Sequence, residues 1–127
     1  MRKRKLFLFD IDGTLFDNQN NEVPESAVRA LRALHETADI GIATGRARFM
    51  LYSIQELLPL IRYQILINGR YILDGEKVIY EDSLPFGFLE ALIKDLEELG
   101  IVYSFEGSDD EAISEMNEDV VQCFREL

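Results

Sequence analysis

Phe7-Leu8-Phe9-Asp10-Ile11-Asp12-Gly13-Thr14-Leu15-Phe16-Asp17 decides how this chain is read: a short apolar run ends in two carboxylates two residues apart, then a Gly-Thr turn. Side chains alternate faces along a strand, so Asp10 and Asp12 project the same way while the strand persists. Two acids on one side of a strand end repel unless something positive lies between them: a metal ion, a shared proton, or both. That spacing asks for chemistry, because burial alone gives no reason to put two like charges there.

Working outward, Lys5 to Phe9 reads as a buried strand. Residues 18–22 are polar and loop-like. Pro24 suits a first helical turn, and Ala27, Val28, Leu31 and Leu34 recur at helical spacing to about His35. Ile40 to Ala43 is a second short strand, ending in Thr44-Gly45-Arg46. A helix is expected next, with Phe49, Met50, Ile54, Leu57 and Leu58 as its apolar stripe, stopped by Pro59. Tyr63 to Ile67 makes a third strand, ending in Asn68-Gly69. Strand–helix–strand–helix–strand implies a parallel sheet with right-handed crossovers, an α/β fold.

Asp74-Gly75-Glu76 between Arg70–Leu73 and Lys77–Glu81 signals a hairpin. Phe86 to Leu99 is an amphipathic helix stopped by Gly100. Ile101 to Phe105 is another strand, and Asn117 to Leu127 a last helix. Phe49, Met50 and Phe86 are expected in the core. Three parallel strands make a small sheet, so the chain is expected to be the front part of a larger architecture or a reduced descendant of one.

Charge divides the chain. Residues 1–82 hold 11 Lys/Arg and 12 Asp/Glu, a net of −1, whereas residues 83–127 hold 2 and 12, a net of −10. The shift suggests a boundary near residue 82, and so negative a surface argues against nucleic acid and anionic membrane. The basic run Arg2–Lys5 precedes only four apolar residues, too few for a secretory signal. Cys123 is the single cysteine, so no internal disulfide forms, and no apolar stretch reaches membrane-spanning length. A cytoplasmic location is the default expectation.

Ligands in doubly wound folds sit beyond the carboxyl ends of the strands, where Asp10–Thr14, Thr44–Arg46 and Asn68-Gly69 all fall. Each cluster has a plainer reading: Asp often caps turns, Thr often caps helices, and Asn-Gly is commonly just a turn. Arg46 suits either a solvated helix surface or a phosphate. Their convergence favours phosphoryl transfer. An ionised Asp10 can attack phosphorus and form an aspartyl-phosphate, with Mg²⁺ offsetting the repulsion between carboxylate and phosphate. Asp10 would give the metal a carboxylate oxygen and Asp12 its backbone carbonyl. Asp12 would serve as general acid and then base, a role asking for a raised pKa, which a neighbouring carboxylate supplies. Gly13 permits a turn that aims amides at phosphate, Thr44 adds a hydroxyl, and Gly45 a backbone N–H at a helix start.

Asp10-Ile11-Asp12-Gly13-Thr14 resembles the first signature motif of the haloacid dehalogenase superfamily, and Thr44-Gly45-Arg46 its second. With Asn68-Gly69 and the hairpin, the resemblance narrows to the Cof-like subfamily. It implies a Rossmann-like core in residues 1–82, incomplete here, and the start of an α/β cap in 83–127. It implies a Mg²⁺-dependent phosphatase acting on small phosphorylated metabolites. It gives Asp10, Asp12 and Thr44 the roles argued above, catalysis and metal binding for the two acids and phosphate binding for Thr44; Gly13, Gly45, Arg46 and Asn68 are further phosphate- or substrate-binding candidates by their positions. The family's third motif, a lysine, and its fourth, an acidic pair, follow the cap. Lys94 and the run Gly107–Glu111 fit them poorly, and the acid run reads as a solvated face. Two other readings stand beside the enzyme: a non-catalytic remnant keeping phosphate or metal binding, and a homodimer formed across an exposed sheet edge.

Overall fold

Apolar runs rich in Ile, Leu and Phe alternate with turn-forming segments in the first two thirds of the chain, and these runs become strands of one sheet. A computed structural model describes residues 3–125, with no side-chain description at 124 and 125. Two compact units result, one up to Ser83 and one from Leu84 onward.

The first unit holds β1 (Lys5–Phe9), α1 (Glu25–His35), β2 (Ala38–Ala43), β3 (Ile61–Leu66), β4 (Tyr71–Asp74) and β5 (Lys77–Glu81). They form a five-stranded sheet in that order. β1, β2 and β3 run parallel, with Phe7 beside Ile40 and Ile42 beside Gln64. β4 and β5 are antiparallel additions, Leu66 pairing with Tyr71 and Asp74 with Lys77 across the Gly75-Glu76 loop. Gly75 takes φ +59°, the left-handed conformation a two-residue hairpin loop demands. The α/β class with a parallel core is therefore as expected.

Pro24 sits at the N-cap of α1, with Glu25 in the first turn and Arg32 and His35 in the last, charges that match the helix dipole. Val28 and Leu31 are its buried face, and α1 packs on β2. Ile11, Ile40, Ile42, Ile54, Leu57, Leu66 and Leu73 are the largest fully buried side chains. Gly41 sits within this core because Leu8 Cδ2 and Tyr63 crowd it: an added Cβ would lie 2.6 Å from the former and 3.0 Å from the latter's Cβ.

Four expectations need correction. β1 is not buried: Leu6, Phe7 and Leu8 keep 48%, 41% and 47% of their surface, because among the described residues β1 has a neighbouring strand on one side only. The helix after Arg46 is instead 3₁₀ turns at Arg48–Ile54 and Leu58–Leu60. Leu51, Ile54 and Leu57 are the buried residues there, spaced by three, which suits three residues per turn. The third strand begins at Ile61 and ends at Leu66, earlier than its apolar run suggests, because Ile67 turns left-handed. Phe86, assigned to the core, is 74% exposed, while Phe49 and Met50 are half-buried.

The second unit comprises α2 (Phe86–Glu98), a short antiparallel pair β6 (Ser104–Glu106) and β7 (Glu111–Ile113), and α3 (Glu118–Arg125). Gly100, φ +66°, ends α2 as expected. Strand β6 starts later than the apolar run at Ile101, and β7 was hidden in the acidic segment. The Gly107 amide donates to the Asp110 carbonyl and closes the intervening turn.

Candidate active site

Strand β1 ends at Phe9, so Asp10 and Asp12 lie on the turn that follows, and strand alternation does not set their directions. Ile11 anchors this turn. Its side chain is fully buried and its carbonyl accepts from the amides of Thr14, Leu15 and Phe16 at 3.1, 3.0 and 2.9 Å. Gly13, at φ +75°, supplies the conformation the reversal needs. Asp10 is exposed and its Oδ1 accepts from the Ile11 amide at 2.8 Å.

Asp12 is held from two sides. Arg46 donates from Nε to Oδ2 at 2.9 Å and from Nη2 to Oδ1 at 2.7 Å, a two-point ion pair. Asn18 donates Nδ2–H to Oδ1 at 3.0 Å, and its own carbonyl oxygen accepts from the Gly13 amide. Arg46 is only 8% exposed. Its Nη1 donates to the Met50 carbonyl and to Ser53 Oγ, and its guanidinium lies 5.8 Å from the Phe16 ring centroid. Arg46 is thus neither a solvated residue nor turned to solvent for substrate; its charge is spent on Asp12. The hydrogen bonds from Arg46 hold the Asp12 carboxyl below the usual carboxylate range, against a smaller opposing effect of burial. The raised pKa expected from carboxylate–carboxylate repulsion is reversed.

Thr44 is buried, and its Oγ1 accepts from the Arg46 amide at 3.1 Å, leaving its hydroxyl proton to donate elsewhere. No α-helix starts at Gly45, so its amide has no helix dipole behind it. Gly45 lies beneath Asn68: a Cβ there would come within 3.2 Å of Asn68 Oδ1. Ile67 and Asn68 both take positive φ, 50° and 52°. This is common for Asn and rare for a β-branched residue. Two backbone bonds fix them, Ile67 N–H to the Arg46 carbonyl and Asn68 N–H to the Thr44 carbonyl, each 3.1 Å. Asp10, Ala43, Thr44, Gly45, Ile65, Asn68 and Gly69 line one open cleft of about 460 Å³. Of the sequence-derived candidates, Asp10, Thr44, Gly45 and Asn68 share this cleft, while Asp12 and Arg46 form a pair. Asn18 and Ser53 were missed; neither position carries a spacing signal.

Among the described residues no group of three or more His, Cys, Asp or Glu converges to make a metal cage. Hard oxygen donors at the strand end nonetheless suit Mg²⁺, which retains waters and needs few protein ligands. The Asp10 carboxylate fits. The Asp12 carboxylate does not, since both its oxygens serve Arg46, and its backbone carbonyl is the fitting donor.

The sequence matches the family model of haloacid dehalogenase-like hydrolases over residues 7–126. It is 33% identical over 76 residues to phosphatase YwpJ of Bacillus subtilis, 60% of this chain and 27% of that protein. The fold superposes on the HAD subclass IIB sugar phosphatase BT4131 with TM-score 0.85 and 34% identity, covering 94% of this chain and 47% of the other. The phosphatase BT1666 of Bacteroides thetaiotaomicron gives TM-score 0.80 and 27% identity, covering 94% and 45%. The chain spans 25% to 36% of the curated relatives it matches and about half of these solved ones. With its Asp10–Thr14 turn, its Thr44–Arg46 loop and the sheet that joins them, the chain belongs to the haloacid dehalogenase-like hydrolases.

Proposed function

We propose that this chain is the nucleophile-bearing part of a Mg²⁺-dependent phosphatase for small phosphomonoesters, working in the cytoplasm, with residues 83–127 the opening of a cap. The observation that carries the reading is the shared cleft of Asp10, Thr44 and Asn68 beyond β1, β2 and β3. The phosphatase names of the relatives support it, and a phosphorylated sugar is the substrate class suggested by BT4131.

A carboxylate oxygen of Asp10 forms a bond to phosphorus as the bond to the leaving oxygen breaks, giving an aspartyl-phosphate and an alkoxide that takes up a proton. Water then attacks the same phosphorus, the Asp10–phosphorus bond breaks, and inorganic phosphate leaves. Bound Mg²⁺, held by the Asp10 carboxylate and the Asp12 carbonyl, would offset charge between nucleophile and phosphate. The Thr44 hydroxyl and the Asn68 amide donate to phosphate oxygens. Asp12, kept ionised by Arg46, suits the base that accepts a proton from the attacking water. The same ion pair disfavours the protonated form that would donate to the leaving oxygen.

The test is hydrolysis of a generic phosphomonoester in Mg²⁺ by the native chain and by Asp10→Asn. The variant is expected to lose at least about 10³-fold, the scale for losing a covalent nucleophile. Equal rates would remove Asp10 from that role. Phosphate binding without turnover in either form would favour the non-catalytic reading.

A further inference from the structure

We propose, building on the Mg²⁺-dependent phosphatase reading, that Asn18 is a positioning residue: it clamps the Asp12–Gly13 peptide and so holds the Asp12 carbonyl in one orientation as a donor for the ion. Asn18 spans both halves of residue 12. Its Oδ1 accepts from the Gly13 amide at 3.0 Å, and its Nδ2 donates to Asp12 Oδ1 at 3.0 Å. An ionised carboxylate only accepts and a backbone N–H only donates, so the Asn18 amide has one way round that satisfies both.

A trans peptide is planar, so the Gly13 N–H and the Asp12 C=O point to opposite sides of one plane. Pinning the N–H therefore fixes the carbonyl. The Phe16 carbonyl shares this amide, also at 3.0 Å. Asn18 adds what Phe16 cannot, a tie from the same peptide to the carboxylate that Arg46 grips. One side chain thus sets the metal donor and the proton-handling group of residue 12 relative to each other. Asn18 is itself placed by a closed loop. The Asp17 amide donates to the Glu22 carbonyl at 2.8 Å, and the Glu22 amide donates back at 3.2 Å. The Asp17 carboxylate accepts from the Gln19 and Asn20 amides and from Asn20 Nδ2. Partners that orient a metal donor from outside are worth about 10–100-fold in affinity.

Mn²⁺, which takes the same oxygen donors as Mg²⁺, is the probe. Its affinity for the unaltered 127-residue chain, read from the electron paramagnetic resonance of the free ion, is expected to fall about tenfold in Asn18→Ala. It is expected to fall far less in Asn20→Ala, which removes a bond within the loop but leaves both Asn18 contacts in place. In the metal-free chain, hydrogen exchange at the Gly13 amide is expected to quicken at least about threefold in Asn18→Ala, the worth of one hydrogen bond. Unchanged Gly13 exchange, or equal Mn²⁺ losses in the Asn18 and Asn20 variants, would overturn the role. Binding abolished by Asp10→Asn yet indifferent to Asn18→Ala would also overturn it, with the metal site left standing. Binding indifferent to Asp10→Asn would overturn the metal site itself, and the role with it.

Discussion

Arg46 closes on Asp12 through two parallel hydrogen bonds, Nε to Oδ2 and Nη2 to Oδ1, across 34 residues of sequence. The cation is almost wholly buried and the carboxylate is 42% exposed, so the pair is asymmetric. Arg46 has nowhere else to place its charge, whereas Asp12 can turn to water.

Arg46→Ala should therefore destabilise the first unit by about 1–3 kcal/mol, since it leaves the Met50 carbonyl and Ser53 without their partner and opens a hole where the guanidinium was, while Asp12 can turn to water. Arg46→Lys should recover only part of this, because a lysine cannot make the two-point contact. Urea midpoints of the three proteins, with m-values compared, check the order.

The lowered pKa of Asp12 fixes a sign. Its folded value lies below the reference of 3.8, so the pair contributes stability that is fully present above that pH and is lost as pH falls through the folded value. Thermal midpoints of native and Asp12→Asn protein should differ most at neutral pH and converge toward pH 2. A difference that stayed constant with pH would mean the ion pair is not the cause.

A methyl at position 45 would stand 3.2 Å from Asn68 Oδ1. Gly45→Ala should push the amide aside and weaken inorganic phosphate binding about three- to tenfold, the worth of one displaced hydrogen bond. In Asn68→Ala the amide is already gone, so adding Gly45→Ala should do little more. A calorimetric double-mutant cycle reads that coupling.

Gly41→Ala should cost about 1–3 kcal/mol of stability, because Leu8 Cδ2 at 2.6 Å and the Tyr63 backbone oxygen at 3.0 Å leave the methyl no room. Leu8→Ala should relieve part of the loss, since the oxygen belongs to the backbone and cannot move aside as a side chain can. Chemical denaturation of both single variants and the double variant measures the relief.

What the sequence made legible was local. Asp74-Gly75 announces its hairpin because only such residues fit the turn, and Val28 with Leu31 announces α1 by spacing. That Asp10, Thr44 and Asn68 line one cleft was legible because strand ends converge in this topology. The partner of Asp12 was not legible, since nothing in the spacing of residues 12 and 46 says they meet. Their meeting is what reverses the carboxyl's shift. Exposure of β1 escaped for a related reason: an apolar run shows that a strand prefers burial but not that a neighbour covers it. Arg48–Ile54 misled because Ile54 and Leu58 mimic an α-helical stripe, while the buried set Leu51, Ile54 and Leu57 repeats every third residue.

The amides of Ile67 and Asn68 are tied to the carbonyls of Arg46 and Thr44. The loop that carries the counter-cation of Asp12 and the loop that carries Asn68 are consequently geared together. On the proposed reaction, a phosphate drawing Asn68 inward would pull on the backbone frame that also carries Arg46, which would tie occupancy of the cleft to the hold on Asp12.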